Sequence, residues 1–498
     1  MVLPILSSRL LQKSIVIKSG LLNKLNGLLL GNLRLLEEST LLPTGLDYSR
    51  FNSGKKLTEV DTEIMYDEII IGSGPGGSIA ALDSVKRNSK VLLVEKGLLF
   101  DSGSIEHHSY KQTKLQFKNE GMNFMWGLPP VLYAEGETLG GGSEVNSGLY
   151  HRLGGKYRAT YLDLLKISEE KWNEIEIEIE KKISVNFEPT PYKVYSKLGL
   201  VDGSRVNNFI CKEIPRWRKY SPAETHQGML NTYIPEAIGL GLKILTNTHI
   251  DSLNLSSNFI TLRGKSGDNE VSIKTKKVVL SAGTIGTPQI LRNSNLAPRS
   301  LDMNFHPMLR VVADHGVVVN DGDLFPPWQS WTSDLNFKFG YSVSNFPYLA
   351  ATLVSLGEKN RINQDKLQQF CAYFSSFTLE DSVSKLISIS GQFTPIVRWG
   401  KKDKEKLEQS VTLLKQILID GGCTEVWPKS GIPPISTVHI FGSIPLIKSK
   451  LIDTYGKLIV DSRIRISDAS ILPAPPFGNP QGIIMVLCQY LANKQVPR

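Results

Sequence analysis

The chain has 498 residues, of which 41% are apolar and 21% are charged, and its net charge is +9. This length and apolar fraction allow two or three domains with a sizeable core, which excludes a mostly disordered chain. No stretch of about 18 strongly apolar, uncharged residues is present, which excludes a conventional membrane-spanning helix. The modest basic excess permits an anionic cofactor or membrane surface as a partner, whereas the lack of a basic stripe interleaved with aromatic residues argues against nucleic acid.

The four cysteines, Cys211, Cys371, Cys423 and Cys488, lie far apart in the sequence. No two of them form the closely spaced pair of a zinc ribbon or a thioredoxin-type site, and a dense disulfide framework needs more of them. We therefore expect buried thiols in a reducing compartment, and a cytoplasmic protein.

Residues 1–36 contain no Asp or Glu, but they contain five basic residues and many leucines near helical spacing. Such a segment is typical of an interfacial amphipathic helix that contacts a membrane surface, of a targeting segment, or of a helical extension packed on the main body. We favour the packed extension, because such helices are common in soluble chains. Residues 41–65 are polar and turn-rich, and they are predicted to be a connector.

A βαβ unit is predicted directly after the connector. Residues 68–71 form a short apolar run typical of a strand that is buried on both faces, residues 76–85 have a helical pattern, and residues 90–95 form a second buried strand. Together they indicate the start of a parallel sheet.

The turn between this strand and helix has the pattern G-x-G-x-x-G, with Gly72, Gly74 and Gly77. The first glycine permits the tight turn, the second lets a pyrophosphate approach the backbone, and the third lets the helix pack closely on the strand. Glu95 ends the second strand, where its carboxylate can accept hydrogen bonds from a ribose diol and would repel a 2′-phosphate. This context predicts a dinucleotide site and argues against NADP, while a glycine turn beside a surface Glu is the alternative.

Periodicity predicts further elements between residues 160 and 420. Trp172, Ile175 and Ile179 have helical spacing, although Ile175, Ile177 and Ile179 also alternate as in a strand, and we expect a helix. An amphipathic helix is predicted over residues 407–418, followed by two glycines. The β-like runs are 242–245, 250–255, 259–263, 271–274 and 278–280.

Four further segments separate FAD from NAD, which the glycine fingerprint alone does not. They are the second glycine-rich loop at 139–148, the segment 281–291 after an apolar strand, and the stretches 466–473 and 478–485. With these segments the chain resembles the glucose–methanol–choline (GMC) oxidoreductase family of FAD enzymes.

The resemblance extends over about residues 66–300 and 430–498. It implies an α/β fold in which a Rossmann-like FAD-binding domain with a parallel sheet is joined to an α+β substrate-binding domain built on an antiparallel sheet. The implied segments are 1–65 as the N-terminal extension and connector, 66–160 and 226–300 as FAD-binding parts, 161–225 and 301–430 as substrate-binding parts, and 431–498 as the C-terminal FAD and catalytic segment.

The resemblance also implies a set of cofactor-binding residues. Those expected at the FAD pyrophosphate and adenosine are Gly72, Ser73, Gly74, Gly77, Glu95 and, through its backbone, Ile250. Those expected near the flavin and its ribityl chain are Gly141, Gly142, Ser143, Asn146, Asp468, Ala469, Asn479, Pro480 and Gln481. Asp468 has the alternative role of capping the turn that follows it.

Some members of the family bind FAD covalently through a His just before the Asn of the second glycine loop. Val145 occupies that position here. Because valine cannot form this bond, we expect non-covalent FAD.

Two residues match the reacting pair of the family. His439 lies in a segment similar to the family's catalytic-His segment, and Asn479 occupies the second catalytic position. The resemblance implies that His439 takes the hydroxyl proton of an alcohol as general base, that the hydride goes to flavin N5, and that the Asn479 amide binds the developing alkoxide. The alternative is a core histidine and a turn asparagine. After His439 the chain departs from the family's usual sequence, which leaves substrate preference open.

The other histidines have weaker contexts. His107 and His108 have no third ligand at metal spacing, so we expect a surface pair and no metal site. His306 is expected to shape the connection to the substrate-binding region, and His151 to support the flavin loop.

The region 301–430 is rich in aromatic residues, which favours an apolar or lipid-like alcohol, although any single ring there is more often part of an ordinary core. The leading hypothesis is oxidation of a CH–OH group, with oxygen, a quinone or another carrier as the electron acceptor. The alternatives are a lyase or a light-driven decarboxylase on the same scaffold, or a flavin-binding accessory protein held at a membrane by residues 1–36.

Overall fold

The structure is a computed structural model, and it describes residues 60–87, 90–100, 105, 107–189, 197–217, 226–320 and 327–495. The predictions for residues 1–36 and for all but the end of the connector therefore lie outside the described residues.

The helices are α1 (Pro75–Lys86), α2 (Tyr110–Gln116), α3 (Gly155–Leu165), α4 (Glu169–Lys182), α5 (Lys197–Val206), α6 (Tyr233–Gly239), α7 (Gly283–Asn293), α8 (Phe346–Ser355), α9 (Gln364–Leu367), α10 (Lys401–Asp420) and α11 (Gln481–Asn493).

The strands are likewise numbered in chain order. They are β1 (Met65–Ile71), β2 (Val91–Val94), β3 (Asn123–Met125), β4 (Val131–Tyr133), β5 (Ile210–Glu213), β6 (Lys243–Leu245), β7 (Thr248–Leu255), β8 (Ile260–Ser266), β9 (Asn269–Leu280), β10 (Ser300–Phe305), β11 (Met308–Asp314), β12 (Trp328–Trp331), β13 (Phe337–Tyr341), β14 (Phe370–Phe377), β15 (Val383–Ile389), β16 (Gln392–Arg398), β17 (Glu425–Trp427), β18 (Ile435–Thr437), β19 (Ile440–Phe441) and β20 (Ile464–Ile466).

The first sheet has the order β6-β2-β1-β9-β8-β7, with β20 also paired to β9. The pairs β1–β2, β1–β9, β2–β6 and β9–β20 are parallel, while β7, β8 and β9 form an antiparallel meander. Ile69, Ile70 and Ile71 are all buried, as expected for a strand covered on both faces. The predicted parallel sheet is confirmed.

Two further sheets are mainly antiparallel. One has the order β3-β4-β18-β11-β14-β13-β12-β5, with β17 paired to β11, and only its β4–β18 pair is parallel among the described strands. The other has the order β16-β15-β10-β19. The predicted combination of a Rossmann-like layer with an antiparallel second layer is thus also confirmed.

Two elements show how local chemistry decides a sequence pattern. The ambiguous isoleucine stretch is helix α4, because Ser168 caps its N-terminus, with its hydroxyl accepting from the Lys171 N–H at 3.2 Å, and the helix has acidic residues in its first turn and lysines in its last. The runs predicted separately at 271–274 and 278–280 belong to the single strand β9. The strand continues between them because β9 stays paired with β1 across the gap, with Tyr66 opposite Thr275 and Glu68 opposite Lys277.

The two main hydrophobic cores follow the sheets. The core around the first sheet includes residues of α3 and α4, among them Tyr161, Trp172 and Ile179. The second core packs α10 against the nine-stranded sheet through residues such as Leu407 and Leu414. The division of the chain into FAD-binding and substrate-binding segments stays a prediction.

Over the described ranges, no helix has both the length and the apolar character needed to cross a bilayer.

Candidate active site

The first glycine loop connects β1 to α1 with tight packing. Gly72 has φ +98°, and a Cβ there would lie 2.2 Å from the Ser281 carbonyl oxygen. A Cβ on Gly77 would lie 2.0 Å from the Gly72 carbonyl oxygen. These two positions therefore require glycine for the fold itself.

The second glycine loop lies directly against the first. The Gly140 N–H donates to the Ser73 hydroxyl at 2.8 Å, and a Cβ on Gly141 would lie 2.8 Å from the Gly74 Cα. By contrast, a Cβ on Gly74 or Gly142 would meet no atom within 4 Å. Among the described residues, no neighbouring atom requires glycine at these two positions, and the open space before them fits a group that must approach the backbone closely, such as a dinucleotide pyrophosphate.

Glu95 lies at the carboxyl end of β2, beside the first loop. Its carboxylate accepts from the Ser73 N–H at 2.9 Å and from the Ser73 hydroxyl at 2.6 Å, and from the Gly97 N–H at 2.8 Å. Burial raises the pKa of Glu95, while these hydrogen bonds oppose the shift. The carboxylate is thus fixed at the end of β2 by the first glycine loop and by the Gly97 N–H.

The Asp468 side chain is held by the protein on both oxygens. It accepts from the Ser470 N–H at 2.8 Å, as the cap of the turn Ala469–Ile471, and from the Gly283 N–H at 2.9 Å. It also accepts from the Thr287 hydroxyl. The capping alternative therefore describes the contacts seen here, and Asp468 ties the turn to α7.

The remaining predicted cofactor residues lie in three places. Asn146 donates to the Gln481 side-chain oxygen at 2.6 Å, and this contact connects the second glycine loop to the start of α11, where Pro480 is the cap residue. Ser143 is buried, and its hydroxyl donates to the Gly140 carbonyl at 2.8 Å. Ile250 is buried in β7, where the strand register shifts just after it.

His439 and His306 are brought together by strand pairing. His306 directly follows β10, His439 directly precedes β19, and these strands pair antiparallel. The two Nδ1 atoms lie 3.4 Å apart and the rings are perpendicular. The His439 backbone N–H donates to the Thr437 hydroxyl at 3.0 Å. The loop around His439 is thereby fixed at both of its ends.

A narrow cleft opens beside these histidines. His439 and Asn479 both line it, together with His306, Lys338 and Gly478. Its apolar lining consists of Met308, Phe374, Phe377 and Phe477. Asn479 is only two residues from Gln481, so the cleft adjoins the segment that bonds to the second glycine loop.

Lys338 received no site role from the sequence, and it lies beside His151, which was expected to support the flavin loop. The Lys338 ammonium lies 3.2 Å from His151 Nε2, which is also 2.8 Å from the Gln329 side-chain oxygen. His151 packs on Gly478, because a Cβ there would lie 2.8 Å from the His151 ring. Lys338 lies within the aromatic strand β13. A lysine in a strand whose other residues are all apolar or glycine is the sequence feature that could have marked it as a functional residue.

The electrostatics of the cleft favour neutral imidazoles. Burial, with smaller contributions from His306, Lys338 and His151, holds the pKa of His439 well below 6.5. Burial, reinforced by Lys338, lowers the pKa of His306 to about 3. Burial also lowers the pKa of Lys338 to about 7. The imidazoles are thus unprotonated at neutral pH and able to accept a proton.

Three expectations from the sequence need correction or refinement. His107 and His108 are not a surface pair: the His108 side chain is buried, and its backbone N–H donates to the Gln112 side chain at 2.7 Å. His306 does more than shape a connection, because it touches His439 in the cleft. Among the aromatic residues of 301–430, Phe374 and Phe377 line the cleft, whereas others are core residues, including Phe339, Tyr341 and Tyr373.

The sequence and the fold both resemble those of known proteins. The family model for GMC oxidoreductases matches residues 66–310. An uncharacterised GMC-type oxidoreductase of Sinorhizobium fredii is 24% identical over 480 residues, which cover 87% of this chain and 95% of that relative. A long-chain-alcohol oxidase of Arabidopsis thaliana is 25% identical over 290 residues, 50% of this chain and 37% of that protein. The crystal structure of pyridoxine 4-oxidase from Mesorbium loti matches with a TM-score of 0.65 at 14% identity, covering 86% of this chain and 98% of that one.

Proposed function

Because the chain belongs to the GMC oxidoreductase family, we propose that it is a flavoenzyme that oxidises the CH–OH group of an alcohol with non-covalently bound FAD. Membership of the family makes it an oxidoreductase and a flavoprotein. The observation that carries the proposal is that His439 and Asn479 line one cleft, while Gln481 bonds to the second glycine loop through Asn146. His439, as a base, and Asn479, as an amide donor, thus line a cleft that adjoins the second glycine loop.

His439 is the general base in this proposal. Its lowered pKa keeps the imidazole neutral, so a ring nitrogen can take the proton of a bound hydroxyl. For Nε2 to accept that proton, Nδ1 must carry a proton of its own and donate it to His306 Nδ1, 3.4 Å away. His306 would then fix both the tautomer and the ring orientation, as an orienting partner does for other catalytic histidines.

Asn479 supplies the second polar contact to the reacting oxygen. Its amide N–H can bind a developing alkoxide without competing as a base. The apolar residues Met308, Phe374, Phe377 and Phe477 line the cleft and exclude water from the reacting carbon. When bound, FAD supplies the acceptor for the hydride, and the protein aligns the two.

The proposed cofactor site follows the two glycine loops. Gly74 and Gly142 leave room for the pyrophosphate and for the flavin side respectively, and Glu95, whose Oε1 accepts from the Gly97 N–H, would bind the adenosine ribose. Val145 is a buried valine without a nucleophilic atom, so no covalent link forms there. Acid precipitation of the yellow protein should release all flavin into the supernatant, whereas flavin retained in the pellet would contradict non-covalent binding.

A panel of alcohols tests the function directly. Under anaerobic conditions, at least one primary or secondary alcohol should bleach the flavin absorbance of the purified protein, with one aldehyde or ketone formed per flavin reduced. An apolar alcohol is the first choice, because the cleft is lined by aromatic rings and because one relative is a long-chain-alcohol oxidase. A colourless protein that does not take up FAD would contradict the proposal, and cleavage of a substrate without flavin reduction would support a lyase instead.

A further inference from the structure

A row of side chains crosses the floor of the cleft. In the nine-stranded sheet Lys338 is paired with Ser376 on β14 and Ser376 with Met308 on β11, so the three lie on the same face. All three line the cleft, together with His439 and Asn479. The Lys338 side chain therefore reaches the volume in which a substrate would lie.

The ammonium of Lys338 has only neutral partners. It lies 3.2 Å from His151 Nε2 and 6.0 Å from the centre of the Phe477 ring. Within the described ranges, no carboxylate forms an ion pair with Lys338, and none acts on its pKa. A buried cation without an anion is unusual in a protein interior, because desolvation is normally offset by a paired charge.

We propose that Lys338, supported by His151, binds a carboxylate of the substrate, so that the enzyme acts on an alcohol that also carries a carboxylate group. The inference rests on the proposed function, since it names the substrate class of the same cleft. The His151 Nε2 atom beside the ammonium also lies 2.8 Å from the Gln329 side-chain oxygen, so Gln329 fixes the ring next to Lys338. The ammonium is thus positioned before the substrate arrives, which reduces the cost of ordering it on binding.

The rest of the cleft limits the form of this substrate. His439 and Asn479 can bind the substrate hydroxyl. The phenylalanine rings can contact an apolar body that lies between the hydroxyl and the carboxylate. A hydroxymethyl benzoate has these features.

The test uses two matched pairs of compounds on the flavin-containing protein. The pair 4-methylbenzoate and 4-methylbenzamide measures binding without turnover, by calorimetry. The pair 4-(hydroxymethyl)benzoate and 4-(hydroxymethyl)benzamide measures anaerobic flavin reduction. The variants are Lys338→Met, which removes the charge from a stem of similar length, and Lys338→Arg, which keeps it. Lys265→Met, at an exposed lysine of β8, is the control.

The wild type should bind the benzoate at least about tenfold more tightly than the benzamide. Lys338→Met should abolish this preference by weakening benzoate binding alone, Lys338→Arg should keep most of it, and Lys265→Met should behave as the wild type. In flavin reduction, Lys338→Met should raise the concentration needed for half-maximal rate at least about tenfold more for the hydroxy acid than for the hydroxy amide.

Several results would overturn the inference. One is that the wild type binds 4-methylbenzoate and 4-methylbenzamide equally, or binds neither. Another is that Lys338→Met lowers the limiting reduction rate equally for the hydroxy acid and the hydroxy amide, which would assign Lys338 to the reacting oxygen instead. The binding arm separates this inference from the proposed function. Reduction by neutral alcohols without any preference for acids refutes only the inference, whereas a Lys338-dependent acid preference without flavin reduction refutes only the function.

Discussion

The Nδ1 atom of His306 lies 3.4 Å from the Nδ1 atom of His439, and antiparallel pairing of β10 with β19 holds the two residues opposite each other. In the proposed mechanism, a proton on His439 Nδ1 that is donated to His306 orients the His439 ring and leaves its Nε2 unprotonated. His306 would then be a positioning residue, and its removal should affect the chemical step more than substrate binding.

His306→Leu should lower kcat by about 10- to 100-fold with little change in KM, because a positioned base contributes about 10²–10⁴-fold and would remain present but unoriented. His306→Asn, whose amide oxygen can still accept from His439, should recover part of the rate. Steady-state kinetics over a pH series are the measurement. Because His306 is one cause of the lowered pKa of His439, the acidic limb of the profile should move to higher pH in both variants. Equal losses in the two variants, or an effect confined to KM, would contradict the positioning role.

Gly74→Ala separates cofactor binding from folding. The added Cβ meets no protein atom within 4 Å but enters the space assigned to the pyrophosphate. FAD affinity should fall at least about tenfold, equal to about 1.4 kcal/mol, while the thermal stability of the flavin-free protein stays unchanged. Gly239→Ala, at an exposed position where a Cβ also meets nothing, is the matched control. Normal flavin content in Gly74→Ala would contradict the assignment of the space before Gly74 to the FAD pyrophosphate.

Glu144 makes folding stability dependent on pH. Burial raises the pKa of its carboxyl from 4.5 to about 7, although Oε1 accepts from the Leu230 N–H at 3.2 Å and from the Ser143 hydroxyl at 2.9 Å. A pKa that is higher in the folded state gives a contribution that is fully present below the unfolded pKa and is lost as the pH rises through the folded pKa.

Glu144→Gln should remove this dependence, because the amide keeps an acceptor and does not ionise. Relative to the wild type, the variant should gain about 3 kcal/mol in free energy of unfolding between pH 4.5 and 8, as the shift of about 2.5 pKa units requires. Urea unfolding of the flavin-free proteins at several pH values measures the difference. A constant difference between the two proteins across this range would refute the role of Glu144.

The carboxylate affinity of the cleft should depend on the ionisation of Lys338. Its pKa is about 7 in the free protein, so the dissociation constant for 4-methylbenzoate should be constant just below pH 7 and rise about tenfold per pH unit above it. The facing groups His151, His306 and His439 have lowered pKa values and stay neutral over this range. In Lys338→Arg the plateau should extend to higher pH, because the guanidinium stays charged. A wild-type affinity independent of pH from 6 to 9 would contradict this prediction.

The sequence predicted the βαβ unit and the parallel sheet, because buried parallel strands and a glycine turn have strong local signals. It also predicted His439 and Asn479 as a reacting pair through their surrounding segments, and both line one cleft. It could not place His306 beside His439, since that contact depends on strand pairing between residues 133 positions apart. It could not place Lys338 in the cleft either. A single lysine in an aromatic strand shows neither which face of the sheet it occupies nor that Met308 and Ser376 lie beside it.

The most direct test of the whole account is anaerobic flavin reduction by an alcohol that the wild type oxidises, followed in His439→Ala at the flavin absorbance maximum. The exposed His249 of β7 provides the control His249→Ala. The account predicts that His439→Ala binds a full complement of flavin and is reduced at least about 10²-fold more slowly, whereas His249→Ala reacts at the wild-type rate. Reduction of flavin-replete His439→Ala at close to the wild-type rate would contradict the account.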